Sequence, residues 1–310
     1  MGTLVYAAML SHSPMMFVPG LRDAPAPRYR AGAEHIKDEL RAREVDTLVL
    51  FYPDHFRQFR LDNMPTFSMG LDRVLTFGDW HLPKREYPVD NRLALYLLQG
   101  LIENGFDMAF KLEATLDHGG AQPLEVFHWQ GRQVVPIAIN CTAPPLASLA
   151  RCFDLGRNVG DLLAADQGER RIAVIGSGGL SHQVPITSWQ DMGRDSEKWS
   201  LYVSGVDPER LAAVEAQRVQ SVVDTIGTSK VLINEKFDKE FLSAMERGDM
   251  AYLTAADASA LQERGGNGMN EVRTWMAAWG AVHGLPCQIV AYDPVAEWVT
   301  GMGVAEIAAE

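Results

Sequence analysis

The sequence predicts an α/β protein, a single-domain mixed sheet flanked by helices, with a helical cover segment. Short apolar runs rich in β-branched residues recur at Leu4–Leu10, Asp46–Tyr52, Val134–Asn140 and Arg171–Ile175, and they read as buried strands. Helix-spaced segments lie between them, the alternation that builds a sheet with helices on its faces. No repeat, low-complexity linker or charge block divides the chain, so residues 1–310 read as one catalytic-sized domain.

Taken in order, the first strand, Leu4–Leu10, stops at Ser11, His12, Ser13 and Pro14. Arg28–Arg43 carries charged and small residues at helical spacing and reads as a helix with a solvated face. The second strand, Asp46–Tyr52, runs into Pro53, Asp54 and His55. Residues 56–88 mix Arg, aromatic, Gly and Pro residues without sustained periodicity, a long excursion with one or two short strands. Asn91–Asn104 reads as a helix closed by Gly105. Asp107–Leu112 reads as a strand before the turn TLDHGGAQP, which carries Asp117 and His118. A strand at Val134–Asn140 and a helix over Pro144–Leu163 lead to Arg171–Ile175, which Gly176, Gly178 and Gly179 break ahead of Ser181, His182 and Gln183. The remainder is mostly helical: Pro208–Ile226, Asp238–Arg247, Ala251–Glu263 and Asn270–His283. The helices near 200–270 are expected to cover the sheet or form an oligomer contact. Gln288–Tyr292 supplies a late strand with a short tail.

Composition excludes several classes of function. Hydrophobic residues at 47% and charged residues at 22% describe an ordinary soluble globular chain. A formal charge of −12 argues against nucleic acid or an anionic membrane as the main partner. Cys141, Cys152 and Cys287 have no CxxC spacing, so neither a thiolate zinc site nor a disulfide framework is expected, and a cytoplasmic location fits. The N-terminal apolar run is too short for a membrane span and has no basic leader.

Four of the eight histidines, His12, His55, His118 and His182, share one context, a buried strand running into a polar turn. Carboxyl ends of strands gather along one edge of an α/β sheet, where such folds bind ligands. His35, His81, His128 and His283 have weaker contexts. Two histidines and one carboxylate make a facial triad suited to non-haem iron(II). Candidate carboxylates are Asp54, Asp117, Glu125, Glu235, Glu240 and Glu271, the last opening a helix at NEVRTWMAAWGA, where an acid commonly serves only the helix dipole. The same histidines could instead hold zinc for hydrolysis.

Five stretches, LSHSP at Leu10–Pro14, FYPDHF at Phe51–Phe56, LDHGGAQPLE at Leu116–Glu125, GSGGLSHQ at Gly176–Gln183 and NEVRTWMAA at Asn270–Ala278, carry a resemblance to a known family. Their order over nearly the whole chain resembles the class III extradiol ring-cleavage dioxygenases, the superfamily of the protocatechuate 4,5-dioxygenase β subunit. Within it the likeness is to the 2,3-dihydroxyphenylpropionate 1,2-dioxygenases, from which the chain departs where Val184 separates SHQ from Pro185.

The resemblance implies an Fe(II) cofactor held by His12, His55 and Glu271, with His118 and His182 as acid/base residues and Asp117 as the acid beside His118. It also implies a catecholic substrate and O2, with both oxygen atoms inserted next to the diol to give a ring-opened semialdehyde or 2-hydroxy-6-keto acid. A homo-oligomer is implied as well. A side-chain carboxylate on the substrate would have Arg57, Arg60, Lys84, Arg85 and Lys111 as candidate partners, and Phe56, Phe59, Phe67, Phe77 and Trp80 could line an aromatic pocket. The glycines of GSGGLSHQ are expected to let the backbone pass close to the catechol. A non-catalytic relative that keeps the fold to bind a partner stays open beside the enzyme readings.

Overall fold

The computed structural model describes residues 3–185, 189–194, 196–228 and 231–308. Its centre is a mixed sheet of nine strands. Four parallel strands form the middle, in the order β6 (Gln133–Ile139), β2 (Thr47–Pro53), β7 (Arg171–Ser177), β1 (Thr3–Leu10). Each is buried nearly end to end, as strands covered on both faces must be. Beyond β1 lie the antiparallel β9 (Thr300–Ala308) and β8 (Gln288–Val295). Beyond β6 comes β3 (Phe67–Thr76), antiparallel to it, which also pairs with β4 (Glu86–Pro88) and β5 (Ala109–Leu116).

Alternation of side chains splits the core in two. Met9, Val49, Phe51, Ile137 and Val174 point to the face covered by α2 (Asn91–Glu103), α4 (Leu149–Ala165), α7 (Glu235–Glu246) and α10 (Val272–Gly280). Leu10, Leu48, Leu50, Tyr52 and Ile175 point to the face covered by α1 (Pro27–Ala42) and α3 (His118–Val126). The α4–α10 crossing is unusually close because Gly156 faces it: a Cβ there would lie 1.8 Å from the carbonyl oxygen of Ala277. The cover consists of a short turn α5 (Glu197–Trp199), then α6 (Pro208–Val223), with α8 (Met250–Ala255) and α9 (Ala258–Gly265) following α7.

The expected mixed sheet with flanking helices is present, and several elements differ in detail. The excursion at 56–88 contains a ten-residue strand, β3, whose apolar and polar residues do not alternate because half of it is buried on both sides. The turn around His118 is instead the first turn of α3, started by the side chain of Asp117 accepting from the Gly119 N–H. The helix expected over Ala251–Glu263 is broken in two, with Asp257 capping the second half. The tail is not a short extension: it returns as β9 and fills the sheet between β1 and β8.

Candidate metal centre and active site

Three of the four strand-end histidines arrive as the sequence pattern suggests. His12, His55 and His182 follow the carboxyl ends of the parallel strands β1, β2 and β7. His118 takes another route, since β5 pairs with β3 and runs opposite to the central four. Helix α3 lies against β2, and its second and third residues, Gly119 and Gly120, permit the approach: Cβ atoms there would meet the Pro53 carbonyl and the Tyr52 ring at 2.7 and 3.0 Å. His118 thereby stacks on His55 with ring centroids 4.2 Å apart.

Glu271 lies in a tight helical turn, Asn267–Glu271, directly before α10 and is buried. Its Oε1 is 3.1 Å from Nε2 of His55 and 3.3 Å from Nε2 of His182, and its Oε2 is 3.4 Å from Nε2 of His12. The Gly179 N–H donates to Oε2 at 2.7 Å. The glycines of GSGGLSHQ permit this approach, and none of them lines the cavity. A Cβ at Gly178 would fall 2.5 Å from the Glu271 carbonyl oxygen, and one at Gly179 would fall 2.4 Å from the His182 ring. The other candidate carboxylates are engaged elsewhere. Asp54 accepts from the N–H groups of Arg57, Gln58 and Phe59, Glu125 binds Arg85 and Tyr87, Glu235 binds Lys239, and Glu240 binds Arg264.

Hydrogen bonds on the far side of each ring set the tautomers. Nδ1 of His55 is 3.0 Å from Asp117, Nδ1 of His118 is 2.8 Å from Asp79, and Nδ1 of His182 is 2.9 Å from the Leu180 carbonyl. Nδ1 of His12 is 3.0 Å from Oγ of Ser177, whose own proton goes to the Gly119 carbonyl at 2.6 Å. In every case Nδ1 must donate. On each ring this leaves Nε2 turned toward the site, and those of His12, His55 and His182 lie within 3.4 Å of the one buried Glu271 carboxylate. Imidazole nitrogens gathered on a carboxylate in this way make a donor set that can hold a cation. Ring nitrogens of His12, His55 and His118 lie within 4.8 Å of one another, a spacing that fits a metal ion.

The charges follow from the same geometry. Burial pushes the His12 pKa down to about 3 against the pull of Glu271. Burial also opposes a charge on His55, but Asp117 and Glu271 outweigh it and hold the pKa well above the ordinary value. His182 is raised too, because Glu271 outweighs the effect of burial. Burial alone would raise Glu271, yet the surrounding His12, His182 and His55 hold it well below the usual carboxylate range.

Two residues of the 56–88 excursion complete the wall. Asp79 accepts from His118, and Trp80 meets its ring edge-on at 5.9 Å. Asp79 did not signal itself, since it lies in an aperiodic stretch, whereas Trp80 was among the expected aromatic liners. Phe56 and Trp80 hold φ values of 61° and 51°, strained backbone of the kind found beside ligand sites. The cavity, about 240 Å³, is lined on one side by His12, His55, His118, His182 and Glu271. Of the expected aromatic liners only Trp80 reaches it. None of the five expected cations does: Arg57 pairs with Glu215, Arg85 with Glu125, Lys111 donates to the Gln58 carbonyl, and Arg60 and Lys84 pack against Gly205 and Gly78.

Residues 6–303 match the family described as the catalytic LigB subunit of aromatic ring-opening dioxygenase. A protein of Photorhabdus laumondii named 2,3-dihydroxyphenylpropionate/2,3-dihydroxicinnamic acid 1,2-dioxygenase is 31% identical over 303 residues, covering 95% of this chain and 94% of its own. A protein of the same name from Paraburkholderia xenovorans is 34% identical over 307 residues, again covering 95% and 94%. A solved structure of an uncharacterised Escherichia coli K12 protein, JW3007, superposes with a TM-score of 0.51 at 16% identity, covering 98% of this chain and 100% of that one, a likeness of fold. With its family match spanning nearly the whole sequence, the chain belongs to the LigB family and is an enzyme of the aromatic ring-opening dioxygenase class.

Proposed function

We propose that the chain works as one catalytic domain in the iron(II)-dependent extradiol cleavage of a substituted catechol by O2. His12, His55 and Glu271 hold the metal, and His118 and His182 move protons. The observation that carries this reading is the convergence of the Nε2 atoms of His12, His55 and His182 on the buried Glu271 carboxylate. LigB dioxygenases are metal-dependent, and two histidines with one carboxylate leave the opposite face open for a chelating diol. Iron(II), when bound, supplies the redox exchange that lets a singlet ring react with triplet dioxygen, which zinc cannot.

The protein groups divide the proton work. Asp79 fixes the His118 proton on Nδ1 and stabilises positive charge on the ring, so Nε2 is the base that takes a catechol proton. His182 has only the Leu180 carbonyl behind it, and Glu271 raises its pKa against the effect of burial, which suits the acid that assists ring opening. Trp80, Leu201, Tyr202, Val214 and Val299 exclude water from the cavity. The relatives' names make 2,3-dihydroxyphenylpropionate the first substrate to test. Exposed Leu95 and Ile102 on α2 and Phe110 and Leu112 on β5 support association of copies, and three buried free thiols suit the cytoplasm. Among the described residues no helix is long and apolar enough to cross a membrane.

The test is anaerobic loading with ferrous iron, then aerobic addition of a catechol panel. Oxygen uptake with a yellow ring-opened product is expected. Iron-loaded protein that consumes no oxygen with any catechol overturns the proposal.

A further inference from the structure

The side of the cavity facing the histidines is a helix face. Val214, Gln217, Arg218, Ser221 and Val222 of α6 line it, the i, i+3, i+4, i+7, i+8 spacing of one helical stripe. Glu215, beside that stripe, pairs with Arg57 two residues past His55, which fastens α6 to the wall of the site. Arg218 thus lines the same cavity as the metal-site residues.

Within the cavity lining the lysine and arginine side chains are Lys198 and Arg218. Lys198 is already partnered. Nη1 of Arg218 is buried and makes no hydrogen bond. A buried guanidinium nitrogen without an acceptor is costly, and folded proteins tolerate it where something else supplies the acceptor. The missing group must be an acceptor, must fit inside about 240 Å³ and must reach α6 from the opposite wall. A carboxylate on a short chain attached to a catechol meets all three conditions, with the diol toward Glu271 and the acid toward α6. A guanidinium fork also matches a carboxylate in geometry as well as charge.

We infer that Arg218 binds the carboxylate of the catechol's side chain and sets the preference for acidic over neutral catechols. The inference rests on the proposed ring-cleavage site and adds the residue that reads the substrate's far end. It replaces the cations of the 57–111 region, all of which lie outside the cavity.

Two isosteric probes test it: 3-(2,3-dihydroxyphenyl)propanoate and its neutral amide. Binding is measured calorimetrically to iron-loaded protein without oxygen, so no turnover occurs. Wild type should bind the acid about 10-fold or more tighter than the amide, the scale of one charge-assisted hydrogen bond. Arg218→Gln should lose that preference while its affinity for the amide stays within about twofold, and Arg218→Lys, which also controls for folding, should keep part of it. In steady state, Arg218→Gln should raise KM for the acid about 10-fold with kcat within about twofold. Equal binding of the two probes by wild type, or an unchanged ratio in Arg218→Gln, overturns the role of Arg218 while leaving ring cleavage intact. Failure of wild type to bind either probe overturns this inference, and the ring-cleavage reading falls with it only if iron-loaded protein also consumes no oxygen with any catechol of the panel.

Discussion

Asp117 grips His55 at two points: its Oδ2 accepts from the backbone N–H of His55 at 2.5 Å and from the ring Nδ1 at 3.0 Å. Its other oxygen caps α3 through the Gly119 N–H at 2.8 Å. One carboxylate therefore couples the end of β2 to the start of the helix that carries His118. Partners of this kind orient metal-binding imidazoles, and their loss typically costs 10–100-fold in metal affinity. Asp117→Asn should weaken iron(II) binding by about that factor in a chelator competition. Wild-type affinity would show that the ring is oriented without it.

Replacement of the three residues proposed to hold the metal should have larger effects. His12→Ala, His55→Ala and Glu271→Ala proteins should purify with iron well below one equivalent after reconstitution, measured by elemental analysis. Iron-replete, active Glu271→Ala protein would remove Glu271 from that set.

His118→Ala and His182→Ala should retain iron and lower turnover by about 10²–10⁴-fold, the usual worth of general acid–base catalysis. Asp79→Asn should fall in the same direction as His118→Ala but less far, because it removes the charge behind the ring and not the ring. Loss of iron in His118→Ala would instead place that histidine among the metal-holding groups, as its spacing from His12 and His55 allows.

The metal-free protein should show a defined pH response from His12. Its folded-state pKa lies at about 3, below the ordinary 6.5, so between these values the unfolded chain takes up a proton that the folded one refuses. Stability should therefore fall as pH drops from about 6.5 toward 3, at no more than about 1.4 kcal/mol per pH unit from this group. His12→Gln removes that contribution, so denaturant melts at pH 6.5 and 4.5 should differ less for it than for wild type. An equal pH dependence in the two proteins would contradict a neutral, buried His12.

The α4–α10 crossing offers a test far from the chemistry. Gly156→Ala places a Cβ 1.8 Å from the Ala277 carbonyl oxygen, so the helices must part. Overpacking of this kind costs about 1–3 kcal/mol, to be read from denaturant unfolding. Iron affinity should fall as well, because Glu271 is the residue that directly precedes and caps α10.

The parallel strands were legible because both faces are buried, which makes Thr47–Pro53 and Arg171–Ser177 continuous apolar runs. Their histidines were legible for the same reason, since a polar turn after such a run falls at the ligand-binding edge. β9 was hidden by its glycines, Gly301 and Gly303, which suppress strand propensity but are required where Asp238 and Leu180 press on the strand. Asp79 and Arg218 left no local trace. Asp79 acts through a contact 39 residues away and Arg218 through a helix face that only the folded cover directs inward. Asp54 looked equivalent to Asp117 by its place before a histidine, yet it spends its oxygens on three backbone N–H groups of its own loop.

The five converging side chains come from positions 12, 55, 118, 182 and 271, and so from almost the entire length of the polypeptide. Glu271 is the last of them in chain order, and β9, which follows it, completes one side of β1, the strand that delivers the first. A fragment that stops short of Glu271 lacks a member of the proposed donor set, so on that reading metal capture follows closure of the sheet rather than seeding it, and a copy cut before position 271 has no complete site in which to hold an ion.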